Sequence, residues 1–265
     1  MPDLSKISIL LKTILRDAHL FASVNGILKT MPEAKVIVVD DGRSSEMKSG
    51  FYARLRGAGH TVIEMPFDSG FGAKSNAAIR ALDRRYLLIG SDDFDFSPRR
   101  AREGIEKLVA VLDEAPDIAI ASGRVNGAPY EGWLIDEGER ITEERAEFIG
   151  FSTTTNGVRY HPCDLTDNYS LSRREILGFG HKQIHWDNGV RIGGGEHGSW
   201  FVDAMRAGHK VAYVQGVNID ELRDIPTCSE YMILRGRARN PERQCFKNRG
   251  IKEYVLFGGA VERAV

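Results

Sequence analysis

The chain has 265 residues, 42% of them hydrophobic and 28% charged, with a formal net charge of −1. That is enough chain to bury a full core, and the composition excludes wholesale disorder. The near-neutral balance of 36 Lys+Arg against 37 Asp+Glu gives no overall drive toward nucleic acid or a membrane surface. The three cysteines, Cys163, Cys228 and Cys245, form no CxxC pair, so neither a disulfide framework nor a structural zinc site is indicated. The apolar run near the N-terminus is broken by Lys12, and no stretch reaches the ~20 apolar residues of a spanning helix. The expectation is a cytoplasmic protein, with peripheral contact at the inner membrane face left open.

In chain order, Ile7–Leu11 reads as a short buried strand, followed by a helix carrying Leu20, Val24, Ile27 and Leu28 at helical spacing. KVIVVDDG, residues 35–42, is a β-branched run ending in two acids and a glycine, as a buried parallel strand does. A helix is expected over Met47–Leu55 and a strand over His60–Met65. The Gly-rich turn DSGFGAKSN then leads into helical AAIRALDRR. YLLIGSDDFDF, residues 86–96, repeats the pattern of apolar strand and then acids. An amphipathic helix follows, closed by Pro116, and DIAIASGRV is a further strand.

This alternation up to Val125 predicts parallel strands joined by right-handed crossovers, with ligands bound at their carboxyl ends. Asp40-Asp41 and Asp92-Asp93 end two such strands and should face one crevice. The second half is less regular. Residues 126–155 are polar and mixed, TDNYSLSRREILGFG reads as a strand entering a helix, and a glycine-rich turn around RIGGGEH precedes a helix and the strand KVAYV. The tail after Pro226 is basic, with Arg235, Arg237, Arg239, Arg243, Lys247 and Arg249. The expected organisation is one domain with two lobes, residues 1–125 and 126–225, followed by a basic tail over 226–265.

Adjacent carboxylates at a strand end repel one another, and a divalent ion with oxygen ligands relieves that cost. Such an ion also stabilises charge developing on a leaving diphosphate. A solvated acidic loop is the alternative for Asp92-Asp93, and helix capping the alternative for Asp40-Asp41. Neither Gly-rich turn fits the P-loop or the GxGxxG fingerprint. Glu196 lies on a glycine-rich turn before a helix, where a carboxylate can serve as general base, or simply favour the helix start. His161, His181, His185 and His197 show no metal-ligand spacing. Trp133, Trp186 and Trp200 suit either a sugar ring or the core.

The stretches LLKTILRDAHL, KVIVVDDG, MPFDSGFGAKSNAAI, YLLIGSDDFDF, DLTDNYSLSRREIL and GGGEHGSWFVDAMRAGHKVAYV, in this order, resemble GT-A fold glycosyltransferases of the family-2 type. The nearest likeness is to the β-1,4-N-acetylgalactosaminyltransferase (ganglioside GM2 synthase-like) group. The resemblance implies an α/β GT-A fold and an inverting, metal-dependent transfer of a hexose or N-acetylhexosamine from a UDP-sugar to a glycan or glycolipid hydroxyl. It implies donor contacts at Lys12, Thr13, Asp40, Asp41, Asn76 and Asp92, with Asp41 holding the uracil and Asp92 near the ribose. It places Mn2+ or Mg2+ on Asp93, the last acid of the DxD motif, and makes Glu196 the catalytic base. Where the family carries Arg-Asn, this chain has Ser75-Asn76; where relatives carry Asp-His, it has Asp220-Glu221, so Glu221 is the candidate further metal ligand. A second Asp-x-Asp at Asp93–Asp95 offers another metal register.

The expected partners are a nucleotide-sugar and an acceptor glycan or glycolipid, without nucleic acid and with a homodimer left open. The alternatives are a non-catalytic nucleotide-sugar-binding protein and a sugar nucleotidyltransferase. The latter carries a Gly-rich loop after the first strand, where this chain reads KTILRDAHL without a glycine. A receiver-like module would leave the second half unexplained.

Overall fold

The computed structural model describes residues 2–147, 150–188, 196–237 and 244–263. The first half alternates strand and helix: β1 (Ile7–Thr13), α1 (Asp17–Thr30), β2 (Lys35–Asp40), α2 (Glu46–Gly57), β3 (Thr61–Glu64), α3 (Phe71–Arg80), β4 (Tyr86–Ile89), α4 (Arg99–Glu114) and β5 (Ile118–Val125). The second half continues with β6 (Gly132–Asp136), β7 (Arg140–Arg145), β8 (Ser152–Thr153), β9 (Arg159–Cys163), β10 (Ser170–Arg173), α5 (Glu196–Arg206) and β11 (Lys210–Ile219). The C-terminal segment carries α6 (Ser229–Arg237), α7 (Gln244–Lys247), β12 (Glu253–Val255) and β13 (Val261–Arg263).

A nine-stranded sheet in the order β3-β2-β1-β4-β10-β5-β11-β9-β8 forms the centre. Its apolar strands divide their side chains between two faces with a period of two. On β1, Ile7, Ile9 and Leu11 enter one core cluster and Leu10 the other; on β2, Val36 and Val38 oppose Ile37 and Val39. The first face is covered by α1, α2 and α4 through residues such as Val24, Tyr52 and Leu108. The second is covered by α3 and α5, by Phe246 of α7 and by a small sheet in the order β13-β12-β7-β6. With both faces covered, the strands read as continuous hydrophobic runs rather than alternating ones.

Strand β1 pairs in parallel with β2 and β4, with Thr13 opposite Asp40. The strands of the first half run parallel, as expected of a mostly parallel sheet, but β4 and β5 are not neighbours. Between them β10 inserts antiparallel to both. Ser170 and Ser172 are buried within it, so its sequence lacks the apolar signature of its neighbours. Only a 3-10 turn, Arg174–Ile176, follows β10, where the sequence suggested a helix. The polar segment 126–155 contributes the β6–β7 hairpin. One sheet therefore runs through both halves of the chain, and the carboxyl ends of β1, β2 and β4 open on the same side.

Candidate active site

Three buried cations neutralise the acids at these strand ends. Asp40 closes β2 and is 4% exposed. It accepts hydrogen bonds from Tyr52 Oη at 2.8 Å and from the Gly42 amide at 2.8 Å, and it pairs with Lys48 at 2.8 Å. Lys48 also pairs with Asp17 at 3.0 Å and donates to the Arg43 carbonyl at 2.9 Å. Asp41 pairs with Lys74 Nζ at 2.6 Å and accepts from the Gly70 amide at 3.0 Å. Gly70 holds φ +96° at the start of α3, a conformation that favours glycine. Lys74 donates in turn to the carbonyl of Thr13 at 3.1 Å, tying α3 to the end of β1. Both carboxylates thus have internal partners that anchor the strand ends.

Past β4, Asp92 and Asp93 share one cation, Arg16. Its Nη1 lies 3.0 Å from Asp92 Oδ1 and its Nη2 2.7 Å from Asp93 Oδ2. Burial pushes Asp92 up to about 6 against the pull of Arg16. Burial also works against the charge on Asp93, but Arg16 beside it holds it below the usual carboxylate range. Asp93 Oδ1 is buried with no hydrogen-bond partner among the described residues. Asp95 accepts from the amide and hydroxyl of Ser97 at 2.9 and 2.5 Å and so caps the following turn. Asp92 and Asp93 thus share Arg16, while Asp95 turns to Ser97.

Glu221 lies beside this turn through the backbone, where the Leu222 amide donates to the Asp93 carbonyl at 2.6 Å. Its carboxylate accepts from Asn126 Nδ2 at 2.9 Å. Among the described residues no three His, Cys, Asp or Glu side chains are grouped to hold a metal. The orphaned Asp93 oxygen does fit one ligand of an ion. Mg2+-type ions are commonly held by one or two carboxylates plus substrate phosphates and waters.

Lys12, next to last on β1, places its ammonium 4.2 Å from the Phe71 ring centroid. Burial, and then the charge of Lys74, pull it down to about 7; Glu196 and Asp92 act in the opposite direction. Lys12 thus feels the charges of both Glu196, at the start of α5, and Asp92. Thr13 is buried at the strand end.

The position of Glu196 is set by a relay from α3. Asn76 donates to the Trp186 carbonyl at 2.5 Å and to Asn188 Oδ1 at 2.8 Å, and accepts from the Trp186 amide at 3.0 Å. A Cβ on Gly72 would come 1.8 Å from the Asp187 carbonyl, so only glycine permits this approach. Trp186 stacks on Trp200 in the second turn of α5. Arg249 fastens the same segment from the tail: it donates to Asp187 at 2.5 Å and, through Nε, to Asp203 at 2.7 Å. Asn76 is thus a strut between α3 and the 186–188 segment. Trp186 and Trp200 belong to the core, and Trp133 meets His161 edge-on. His197 is half-buried edge-on against Tyr130 and Phe201, and desolvation holds it below its ordinary pKa. The glycine-rich turn at 191–195 and tail residues Arg239 and Arg243 lie outside the described residues.

Sequence reasoning did not single out Arg16, Lys48, Tyr52 or Tyr231. Arg16 was detectable as a cation four residues beyond Lys12 at a strand end. Tyr231 carried no local signal: it lies 215 residues from Arg16.

No family model matches the chain. It is 32% identical over 203 residues to mouse β-1,4 N-acetylgalactosaminyltransferase 2, a segment that is 75% of this chain and 36% of that protein. Human β-1,4 N-acetylgalactosaminyltransferase 1 is 34% identical over 110 residues, 42% of this chain and 19% of that one. The chain therefore spans about a third or less of the curated relatives it matches. Among solved structures, Staphylococcus aureus TarS in complex with UDP-GlcNAc superposes with a TM-score of 0.54 at 13% identity, over 81% of this chain and 58% of that one. The mannosyltransferase PcManGT of Pyrobaculum calidifontis, in complex with GDP-Man and Mn2+, superposes with a TM-score of 0.53 at 13% identity, over 94% of this chain and 76% of that one. The fold is that of the GT-A glycosyltransferases. Within that class, the sequence is similar to β-1,4-N-acetylgalactosaminyltransferases.

Proposed function

We propose that this chain is an inverting, metal-dependent glycosyltransferase that moves a hexose or N-acetylhexosamine from a UDP-sugar to a hydroxyl of a glycan or glycolipid. The observation that carries this reading is the convergence of Lys12, Asp92, Asp93 and Glu196 at the carboxyl ends of β1 and β4 and the start of α5. In open α/β sheets that is where ligands bind. The sequence similarity and the nucleotide-sugar complexes of the two structural neighbours support it.

In this reading Lys12 faces the donor diphosphate as a desolvated cation whose charge the anion restores. Asp93 would hold a divalent ion, and such an ion would stabilise the charge of the leaving diphosphate. Asp41 and Asp92 border the nucleoside, Asp41 through the Gly70 turn. Glu196 takes the proton of the acceptor hydroxyl. The freed oxygen attacks the anomeric carbon as the bond to the diphosphate oxygen breaks, and UDP leaves with that electron pair. A single displacement inverts the configuration.

The test is Glu196→Gln, followed as UDP release from UDP-sugars in the presence of acceptor glycans. Turnover should fall steeply while UDP binding is retained. Turnover near the wild-type rate would remove Glu196 as the base.

A further inference from the structure

Resting on the donor-site reading above, we propose that Arg16 is an internal countercation that closes the Asp92-Asp93 pair to free divalent metal, so that metal enters only together with a diphosphate.

The guanidinium is 8% exposed and takes one oxygen of each acid. It is covered on one side by the ring of Tyr231, 4.9 Å from the centroid, and Nη1 lies 3.3 Å from the Tyr231 hydroxyl. Tyr231 sits on α6, which is fastened over the strand ends at two further points. Arg43 forks onto Glu230 at 2.5 and 2.7 Å, and Cys228 Sγ lies 3.5 Å from the Leu15 carbonyl. Arg16 is therefore held in its ion pairs from behind and has no open route into solvent on that side. Its two ion pairs keep its own charge firmly in place.

A divalent ion arriving alone must take Asp93 beside a buried, permanent positive charge. Like charges at such short range in a partly desolvated site repel strongly. A diphosphate changes the balance, because it carries negative charge and pairs of oxygen acceptors onto which a planar guanidinium can fork. With it present, Arg16 has a second anionic partner and the metal gains phosphate oxygens. Binding of metal and nucleotide is then coupled, and the coupling is reciprocal.

The test is Mn2+ titration of the full chain, followed by the electron paramagnetic resonance signal of free Mn2+. It is run without and with UDP on wild type, Arg16→Gln and Arg16→Lys. Without UDP, Arg16→Gln should bind Mn2+ about tenfold or more tighter than wild type, because one like charge beside the ion is gone. Adding Asp93→Asn to it should abolish the gain. With UDP, the gap between wild type and Arg16→Gln should narrow. Equal Mn2+ affinities of folded wild type and Arg16→Gln without UDP would overturn the proposal. Arg16→Lys keeps the positive charge and should bind Mn2+ without UDP about as weakly as wild type. If Arg16→Gln does not fold, Mn2+ binding by Arg16→Lys about tenfold or more tighter than wild type would overturn the proposal. A calorimetric titration with UDP separates the two levels. Wild type that fails to bind UDP with or without Mn2+ would strike the donor reading, while the titration without nucleotide still decides the part played by Arg16.

Discussion

Trp186 lies flat on Trp200, with ring centroids 3.7 Å apart and planes 6° from parallel. The pair joins two parts of the site that the chain keeps apart. Trp186 is gripped by Asn76 of α3 on the nucleotide side, and Trp200 is one turn beyond Glu196 in α5. A change at the stack should reach both stability and chemistry. Trp200→Ala removes a buried indole and should cost about 3–5 kcal/mol. Denaturant unfolding measures the loss, and activity should fall further than the unfolded fraction explains. A loss below 1 kcal/mol would show that the stack does not hold α5.

Asn76→Ala tests the other end of the relay. It leaves the buried Trp186 amide and carbonyl without their partners, at a cost of about 1–3 kcal/mol each. Asn76→Asp keeps the acceptor but sets a buried carboxylate against the Trp186 carbonyl and Asn188 Oδ1, and should be at least as destabilising as alanine. Thermal unfolding of the three proteins checks the order.

Tyr52→Phe removes the hydroxyl that donates to Asp40 Oδ2. Asp40 keeps Lys48 and the Gly42 amide, so the expected loss is only about 1 kcal/mol. UDP affinity should be nearly unchanged, because Lys48 and the Gly42 amide still hold the Asp40 carboxylate in place. A large loss of UDP affinity in the folded variant would place Asp40 in direct donor contact.

Lys12 sets a pH dependence with a defined sign. Its folded pKa is about 7, against an ordinary 10.5. Below about 7 both folded and unfolded chains carry the proton, and the cost of burying the charge is fully present. Between about 7 and 10.5 the unfolded chain holds a proton that the folded chain has released, so this group makes stability rise with pH. Donor binding runs the other way: a diphosphate prefers the charged amine, so affinity should be highest below about 7 and weaken above it. Calorimetric titration of UDP across pH checks this, with Lys12→Met as the control in which both trends flatten.

Glu196→Gln should lower turnover by about 10²–10⁴-fold, the usual contribution of a general base. Unchanged UDP binding in the same variant separates loss of the base from loss of the site.

The βα order of the first half was legible because strands buried on both faces must be apolar throughout, as KVIVVD and YLLI are. The acids that end them marked the crevice for the same reason, since charge has no place inside such runs. The position of β10 was not legible. Its buried serines and its antiparallel course depend on pairing with β4 and β5, which local pattern does not record. The site was read as a set of ligand contacts, yet much of its polar chemistry is internal. Asp40, Asp41 and Asn76 each spend their hydrogen bonds on the fold. The partners of Asn76 lie 110 and 112 residues away, and no spacing rule reaches that far.

The most direct test of the account is calorimetric binding of UDP and a panel of UDP-sugars to the wild-type chain, with and without Mn2+. The account predicts binding that Mn2+ strengthens, with one sugar form bound best. A ligand present at 100 times its dissociation constant should also add about 2.7 kcal/mol to unfolding stability. A folded chain that binds no nucleotide or nucleotide-sugar in the presence of Mn2+ would contradict it.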